Sequence, residues 1–280
     1  MNNISFGLYI VATPIGNLDD ITLRAKKVLE NCNFIICENP KHSLKLLNKL
    51  GIKKKLISLH DYNEEKVISK VSFSLKQKVV ALISDAGSPL ISDPGFKLVR
   101  YCHENNIYVT SIPGANSIIP ALQLSSLPLN EFCFLGFYPK NSKQKNEFLN
   151  FLKKSFQTVV FFVSTNKIKN CLEALEKHIS NRNISVCKEI TKLNEKVFRG
   201  SPEIVKNQIL KNDNIKGEFV VAVEGINLKI SDNFELKDLK FEIHKLLNKF
   251  SLTDVVEIVH KMTKLQKNKI YKYVLDIKNG

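Results

Sequence analysis

Three features of this 280-residue sequence predict an α/β fold: two successive α/β domains and a small basic helical segment. Short runs rich in β-branched and aromatic residues recur along the chain, segments of helical periodicity separate them, and glycines and prolines collect where the apolar runs end. The first set of apolar runs is LYIVAT, FIIC, KLISLH, VVALIS and IYVTSI. Between them lie DDITLRAKKVLENC, PKHSLKLLNKL, NEEKVISKVSFSL and PGFKLVRYCHEN. In the first of these helices Ile21, Ala25, Val28 and Leu29 recur at i, i+4, i+7 and i+8, while Arg24, Lys26 and Lys27 take other faces. Strands buried on both faces with helices between them form a mostly parallel sheet, which binds ligands at the carboxyl ends of its strands.

A second α/β unit follows SSLPLNE, and the break falls near residues 113 to 128. Its strands are expected at FCFLGFY, TVVFFVS, ISVCKEI, EKVFRG and GEFVVAVEG, with helices near 142 to 155, 166 to 179 and 202 to 211. After about residue 230 the pattern turns helical and basic, in DLKFEIHKLLNKF, LTDVVEIVHKM and QKNKIYKYVLDI. The domains expected are therefore 1–118, 119–230 and a C-terminal helical segment, 231–280. No repeat of fixed period and no low-complexity tail appears.

The apolar content of 44% suffices for a sizeable core. No apolar run approaches the roughly 18 to 20 residues of a membrane span, and MNNISFGLYIVATPIGN lacks the basic start and long apolar centre of a signal peptide. The expected compartment is the cytoplasm. Cys32, Cys37, Cys102, Cys133, Cys171 and Cys187 are scattered with no C-x-x-C pair, so they read as reduced core residues. The net charge of +15 has two readings: attraction to polyanions such as RNA or DNA, or a lysine, asparagine and isoleucine bias imposed by an AT-rich genome.

Three loops stand out, each after an expected strand: TPIGNLDD (13–20), SDAGSPLISDPG (84–95) and PGANS (113–117). Glycine admits positive φ and close approach of a ligand, while proline stiffens the loop, so such loops build a pocket mainly from backbone. None matches G-x-G-x-x-G or the P-loop pattern, which favours a neutral or cationic ligand over a dinucleotide phosphate. The competing reading makes each loop a β-to-α turn with a helix cap, Asn17 or Asp19 for one helix and Ser92 or Asp93 for another.

The stretches TPIGNLDDIT, SDAGSPLISDPGF and PGANSIIPAL, in this order, closely resemble the tetrapyrrole-methylase-like superfamily of S-adenosylmethionine-dependent enzymes. More narrowly, the chain is similar to the bacterial branch that methylates the 2′-hydroxyl of a cytidine in 16S ribosomal RNA at the decoding centre. The likeness continues through GFYPK, KEITKLNEKVFRG and KGEFVVAVEG, and into the helical end. It implies a methyl-donor cleft between the two α/β domains, with Gly87, Ser88, Pro89 and Ile91 lining it and Asp85 and Asp93 shaping the loop. Pro14 and Gly16 would lie across from them, and Asn116 and Ser117 beside the donor. No metal is implied.

On the acceptor side the likeness places Glu38 as an acid and Lys41 as a positive charge facing the ribose, in CENPKHSLKLL. Asn39 replaces a second family acid, and Pro40 stands where a small hydroxyl residue is usual. Asn17, His42, Ser164 and Lys167 would contact the RNA. In VSTNK, residues 163 to 167, only Ser164 and the terminal positive charge are kept; the family's acid, proline, histidine and arginine are absent. Glu38 also reads as a helix N-terminal acid facing the macrodipole. The superfamily generally forms homodimers, so a homodimer is expected. The rivals are a tetrapyrrole-like small-molecule methylase and a non-catalytic nucleic-acid-binding relative.

Overall fold

The computed structural model describes residues 5–211, 215–226, 236–263 and 265–279. The chain forms two compact units, 1–225 and 226–280, and the first contains two five-stranded sheets. Strands β1 (Gly7–Val11), β2 (Phe34–Cys37), β3 (Lys55–Ser58), β4 (Val79–Ile83) and β5 (Val109–Ile112) make the first sheet, in the order β3-β2-β4-β1-β5. Every neighbouring pair is parallel, as the alternation of strands and helices requires.

Every residue of β2 and β4 is buried, because helices cover both faces. Val79, Ala81 and Ile83 of β4 pack with Ala25, Val28 and Leu29 of α1 (Leu23–Asn31) and Leu47 of α2 (Pro40–Lys49). The alternate residues Val80 and Leu82 point the other way. They meet Val67, Val71 and Leu75 of α3 (Glu64–Gln77) and Leu98 and Cys102 of α4 (Phe96–Glu104). Strands β1 and β4 are neighbours, yet the helices that follow them leave to opposite faces. That is the point in an α/β sheet where a crevice opens.

The helix caps differ from those expected. Asn17 caps the short 3-10 turn Leu18–Asp20, accepting from Asp19 N, and Thr22 caps α1 by accepting from Ala25 N at 3.1 Å. Neither Ser92 nor Asp93 caps α4. Its N-cap is Gly95, and Glu64 of α3 reaches across to accept from Leu98 N at 2.9 Å. A long-range cap of this kind leaves no trace in local sequence.

The second sheet contains β6 (Phe132–Phe137), β7 (Thr158–Val163), β8 (Ile184–Lys188), β9 (Lys196–Gly200) and β10 (Phe219–Val223), in the order β6-β7-β10-β8-β9. Only β6 and β7 pair parallel; the other pairs are antiparallel. One face packs against α6 (Ser142–Lys154), α7 (Ile168–Ile179) and α8 (Pro202–Leu210). The other packs against α5 (Ile118–Ser125), whose Ala121 and Leu122 meet Val160, Cys187, Val220 and Ala222. Helix α5 was not expected. Its sequence IIPALQLS has no polar face to show a period of 3.6, and its proline sits in the first turn, where a missing N–H costs nothing.

The second unit contains the expected helices α9 (Lys240–Leu247), α10 (Leu252–Thr263) and α11 (Lys267–Asn279), closed around Ile243, Val255, Val259, Ile270 and Val274. Among the described residues no helix is long and apolar enough to cross a membrane. All six cysteines are free, and five are buried.

Candidate active site

The three glycine- and proline-bearing loops converge at the carboxyl end of the first sheet. Thr13 N donates to Gly87 O at 2.9 Å and Gly87 N donates to Thr13 O at 3.0 Å, tying the first loop to the second. Ser88 Oγ donates to Ala115 O at 3.5 Å, tying the second to the third. Within the 84–95 loop Gly87, Leu90 and Ser92 all take left-handed backbone, at φ of 79°, 75° and 70°. For Leu90 and Ser92 that conformation costs about 1–2 kcal/mol each, and strain of this kind concentrates at ligand clamps. Thr13 Oγ1, fully buried beneath this junction, has no hydrogen-bond partner among the described residues.

Against these loops the second sheet closes a cleft of about 630 Å³. Gly87, Ser88, Ile91, Asp93, Asn116 and Ser117 line one side, and Ser164 lines the other. Pro14, Gly16, Asn17, Glu38, Lys41, His42, Asp85, Pro89 and Lys167 are not among the residues that line it. The sequence reading missed the apolar wall: Phe134, Phe137, Phe162, Ile15 and Ile190. An aromatic side chain on a strand reads as core, and Phe162 stacks edge-on with both Phe134 and Phe137, at centroid distances of 4.9 and 5.2 Å. The cleft therefore joins a mostly apolar wall to a few backbone amides, hydroxyls and two acidic residues, Asp93 and Glu218, in the size range of small-molecule sites.

The segment between β8 and β9 spans the two sheets. Thr191 Oγ1 donates to Asp20 Oδ2 at 2.6 Å, and the Lys192 side chain packs directly over Gly16. Lys192 Nζ is held by Glu189 at 3.1 Å and Glu218 at 2.9 Å. Glu189 and Thr191 both have positive φ, 54° and 65°. Gly16 thus serves this crossing: any side chain there would collide with Lys192.

Glu38 directly follows β2, and its neighbour Asn39 touches the second loop. Burial, then the charges of Asp85, Asp93 and Asp61, push its carboxyl above the ordinary glutamate value. Burial and Asp85 do the same to Asp93, opposed by a hydrogen bond from Ser84. The charge of Asp85 thus acts on both Glu38 and Asp93, and of these three acids Asp93 lines the cleft. The cap of α2 is Asn39, one residue after Glu38: its Oδ1 accepts from Lys41 N at 3.1 Å and His42 N at 3.4 Å, and Pro40 opens the helix. The two departures at 39 and 40 thus form an ordinary helix start, and Asn39 N donates to Asp85 Oδ1 at 3.2 Å.

At the end of β7, Val163 is 2% exposed and packs in the core of the second sheet, where an acid would need a partner. Ser164 Oγ donates to Asn166 Oδ1 at 2.7 Å, and Lys167 Nζ donates to Tyr138 O at 3.3 Å. Among the described residues, no three His, Cys, Asp or Glu side chains gather as metal ligands.

Comparison with known proteins agrees with this architecture. Residues 7–204 match the family described as Tetrapyrrole (Corrin/Porphyrin) Methylases. The chain is 38% identical over 279 residues to the ribosomal RNA small subunit methyltransferase I of Pasteurella multocida, covering 99% of each chain. It is 39% identical to the protein of that name from Rickettsia prowazekii, covering 91% of this chain and 96% of that one. Among solved structures it is similar to a cobalt precorrin-4 methyltransferase, with a TM-score of 0.58 at 17% identity over 78% of this chain and 94% of that one, a likeness of fold. The strained triple-loop junction at the sheet's switch point and the match along nearly the whole length lead to one assignment: the chain belongs to the tetrapyrrole (corrin/porphyrin) methylase family, in its ribosomal RNA small subunit methyltransferase I branch.

Proposed function

We propose that the protein uses S-adenosylmethionine to methylate the 2′-hydroxyl of a cytidine at the decoding centre of 16S ribosomal RNA, as a cytoplasmic homodimer. The observation that carries this reading is the cleft formed where the three loops meet: strained backbone on one side, an apolar wall on the other. The residues fit the donor. Gly87 brings bare backbone to the cleft, Ser88, Asn116 and Ser117 add polar groups, and Asp93 adds a carboxylate suited to a cationic ligand. When bound, the donor supplies an electrophilic methyl group on a sulfonium.

The protein's own contribution is alignment, exclusion of water and control of one proton. Glu38, held at a raised pKa, accepts the proton of the ribose hydroxyl as that oxygen attacks, and Lys41 stabilises the developing negative charge. Pro14, Asp85 and Pro89 support the donor loops from outside the lining, while Asn17, His42, Ser164 and Lys167 orient the RNA. No metal takes part.

The test is incubation with radiolabelled donor and, in parallel, small ribosomal subunits or a porphyrinogen. Label in 16S RNA as 2′-O-methylcytidine is expected. Label in the ring would assign a small-molecule methylase instead, and no label in either would leave a binding protein without catalysis.

A further inference from the structure

Lys167 ends the 3-10 turn Thr165–Lys167 that follows β7, two residues beyond Thr165, which lines the cleft. Lys140 lies three residues beyond Phe137, the last residue of β6 and also part of the cleft wall. Lys145 stands in the first turns of α6. Because β6 and β7 run parallel as neighbours, their carboxyl ends emerge side by side, and the three lysines follow those ends.

Two of the three are held in place. Lys167 Nζ donates to Tyr138 O at 3.3 Å; Lys145 Nζ lies 5.7 Å from the centroid of the Tyr138 ring and donates to Asn170 Oδ1 at 2.9 Å. Among the described residues none of the three pairs with a carboxylate. Burial, then the charges of Lys140 and Lys145, pull the Lys167 ammonium below its ordinary value. Like charges held together without a counter-charge are unfavourable until an anion joins them.

We propose that Lys140, Lys145 and Lys167 form one subsite for a backbone phosphate of the acceptor RNA. The proposal rests on the RNA-methyltransferase reading above. A guanidinium grips a phosphate through a planar two-pronged fork, whereas lysine acts as a point charge. Where the family resemblance has an arginine this chain has Lys167, and the structure supplies two further ammonium groups beside it. Three point charges around one phosphate replace one fork.

The test compares wild type, the triple variant Lys140→Ala, Lys145→Ala, Lys167→Ala, and a control of equal charge, Lys49→Ala, Lys70→Ala, Lys76→Ala, on the exposed surfaces of α2 and α3. Binding to small ribosomal subunits is measured across salt concentrations, alongside donor affinity by calorimetry and label transfer. The triple variant should bind RNA about tenfold more weakly, with the slope of log affinity against log salt reduced by about one, and with donor affinity unchanged. The control should change RNA affinity far less. Restoring one fork, as Lys167→Arg with alanine at 140 and 145, should recover most of the affinity. Equal RNA affinity and slope in the triple variant and the control would overturn the subsite. A loss of donor affinity confined to the triple variant would overturn it too, assigning the cluster to the donor's carboxylate. If wild type itself transfers no label to RNA, the functional reading fails, a result distinct from either of these.

Discussion

Glu38 and Lys41 give the sharpest test at the scale of single residues. With Asn39 as the cap of α2, the Glu38 side chain has no helix-capping duty, and its environment raises its pKa through burial and three neighbouring acids. As a proton acceptor in the transition state, its loss in Glu38→Gln should lower turnover about 100-fold with donor affinity unchanged, and Lys41→Ala should act in the same direction. Wild-type turnover should rise with pH through a pKa above the ordinary glutamate value, and Glu38→Gln should lose that limb. The sign for stability is opposite. A raised folded-state pKa means that protonation favours the fold, so its stabilisation is full below the unfolded value and fades as pH rises through the folded one. Glu38→Gln should therefore melt higher than wild type at neutral pH, with the gap closing in acid. Mass spectrometry of 16S RNA and thermal melts across pH measure both. Ser88→Tyr would fill the cleft beside Gly87 and should weaken donor binding by about 100-fold or more in calorimetry, with EDTA making no difference. Unchanged affinity would remove this loop from the donor site.

At the scale of elements, the start of α4 depends on a residue of α3. Gly95 offers no side chain to the free amides of the first turn, and Glu64, 4% exposed, supplies the missing acceptor at Leu98 N. Glu64→Ala should destabilise the protein by about 2 kcal/mol, since it leaves a buried amide unpaired. Urea unfolding measures this, and a change near zero would mean that water satisfies Leu98 instead. Most elements were legible locally. The Ala25, Val28 and Leu29 stripe marks α1, and the uninterrupted apolar runs of β2 and β4 announce strands covered on both faces. Helix α5 was not, because IIPALQLS is apolar on its exposed side as well, at Ile119, and so shows no clear alternation of polar and apolar faces.

For the molecule as a whole, the segment between β8 and β9 couples the two sheets through Thr191 to Asp20 and through Lys192 above Gly16. Thr191→Val keeps the shape and removes the hydrogen bond. It should speed amide exchange in residues 13 to 20 and weaken donor binding several-fold, with little change in global stability, because the contact is exposed and worth about 1 kcal/mol. Uniform exchange rates in wild type and variant would show that the loop is held without it. The proposed homodimer predicts a mass in light scattering of about twice 31.9 kDa at micromolar concentration. A monomer mass would sink that assembly.

The sequence by itself determined the alternation of strands and helices, the parallel pairing of the first sheet and the positions of the three loops. Each follows from short-range periodicity or from the conformations open to glycine and proline. Tertiary structure alone decided what those loops do together. The order β3-β2-β4-β1-β5 makes neighbours of β1 and β4, so that Thr13 meets Gly87 although the two lie far apart in the chain. It also decided that Phe134, Phe137 and Phe162 face a cleft rather than a closed core, that Glu64 caps a helix it does not belong to, and that Lys145 and Lys167 meet at Tyr138. A side chain's type and local period fix whether it can be buried. What it is buried against depends on which distant strand lies beside it, and that is set by how the sheets assemble.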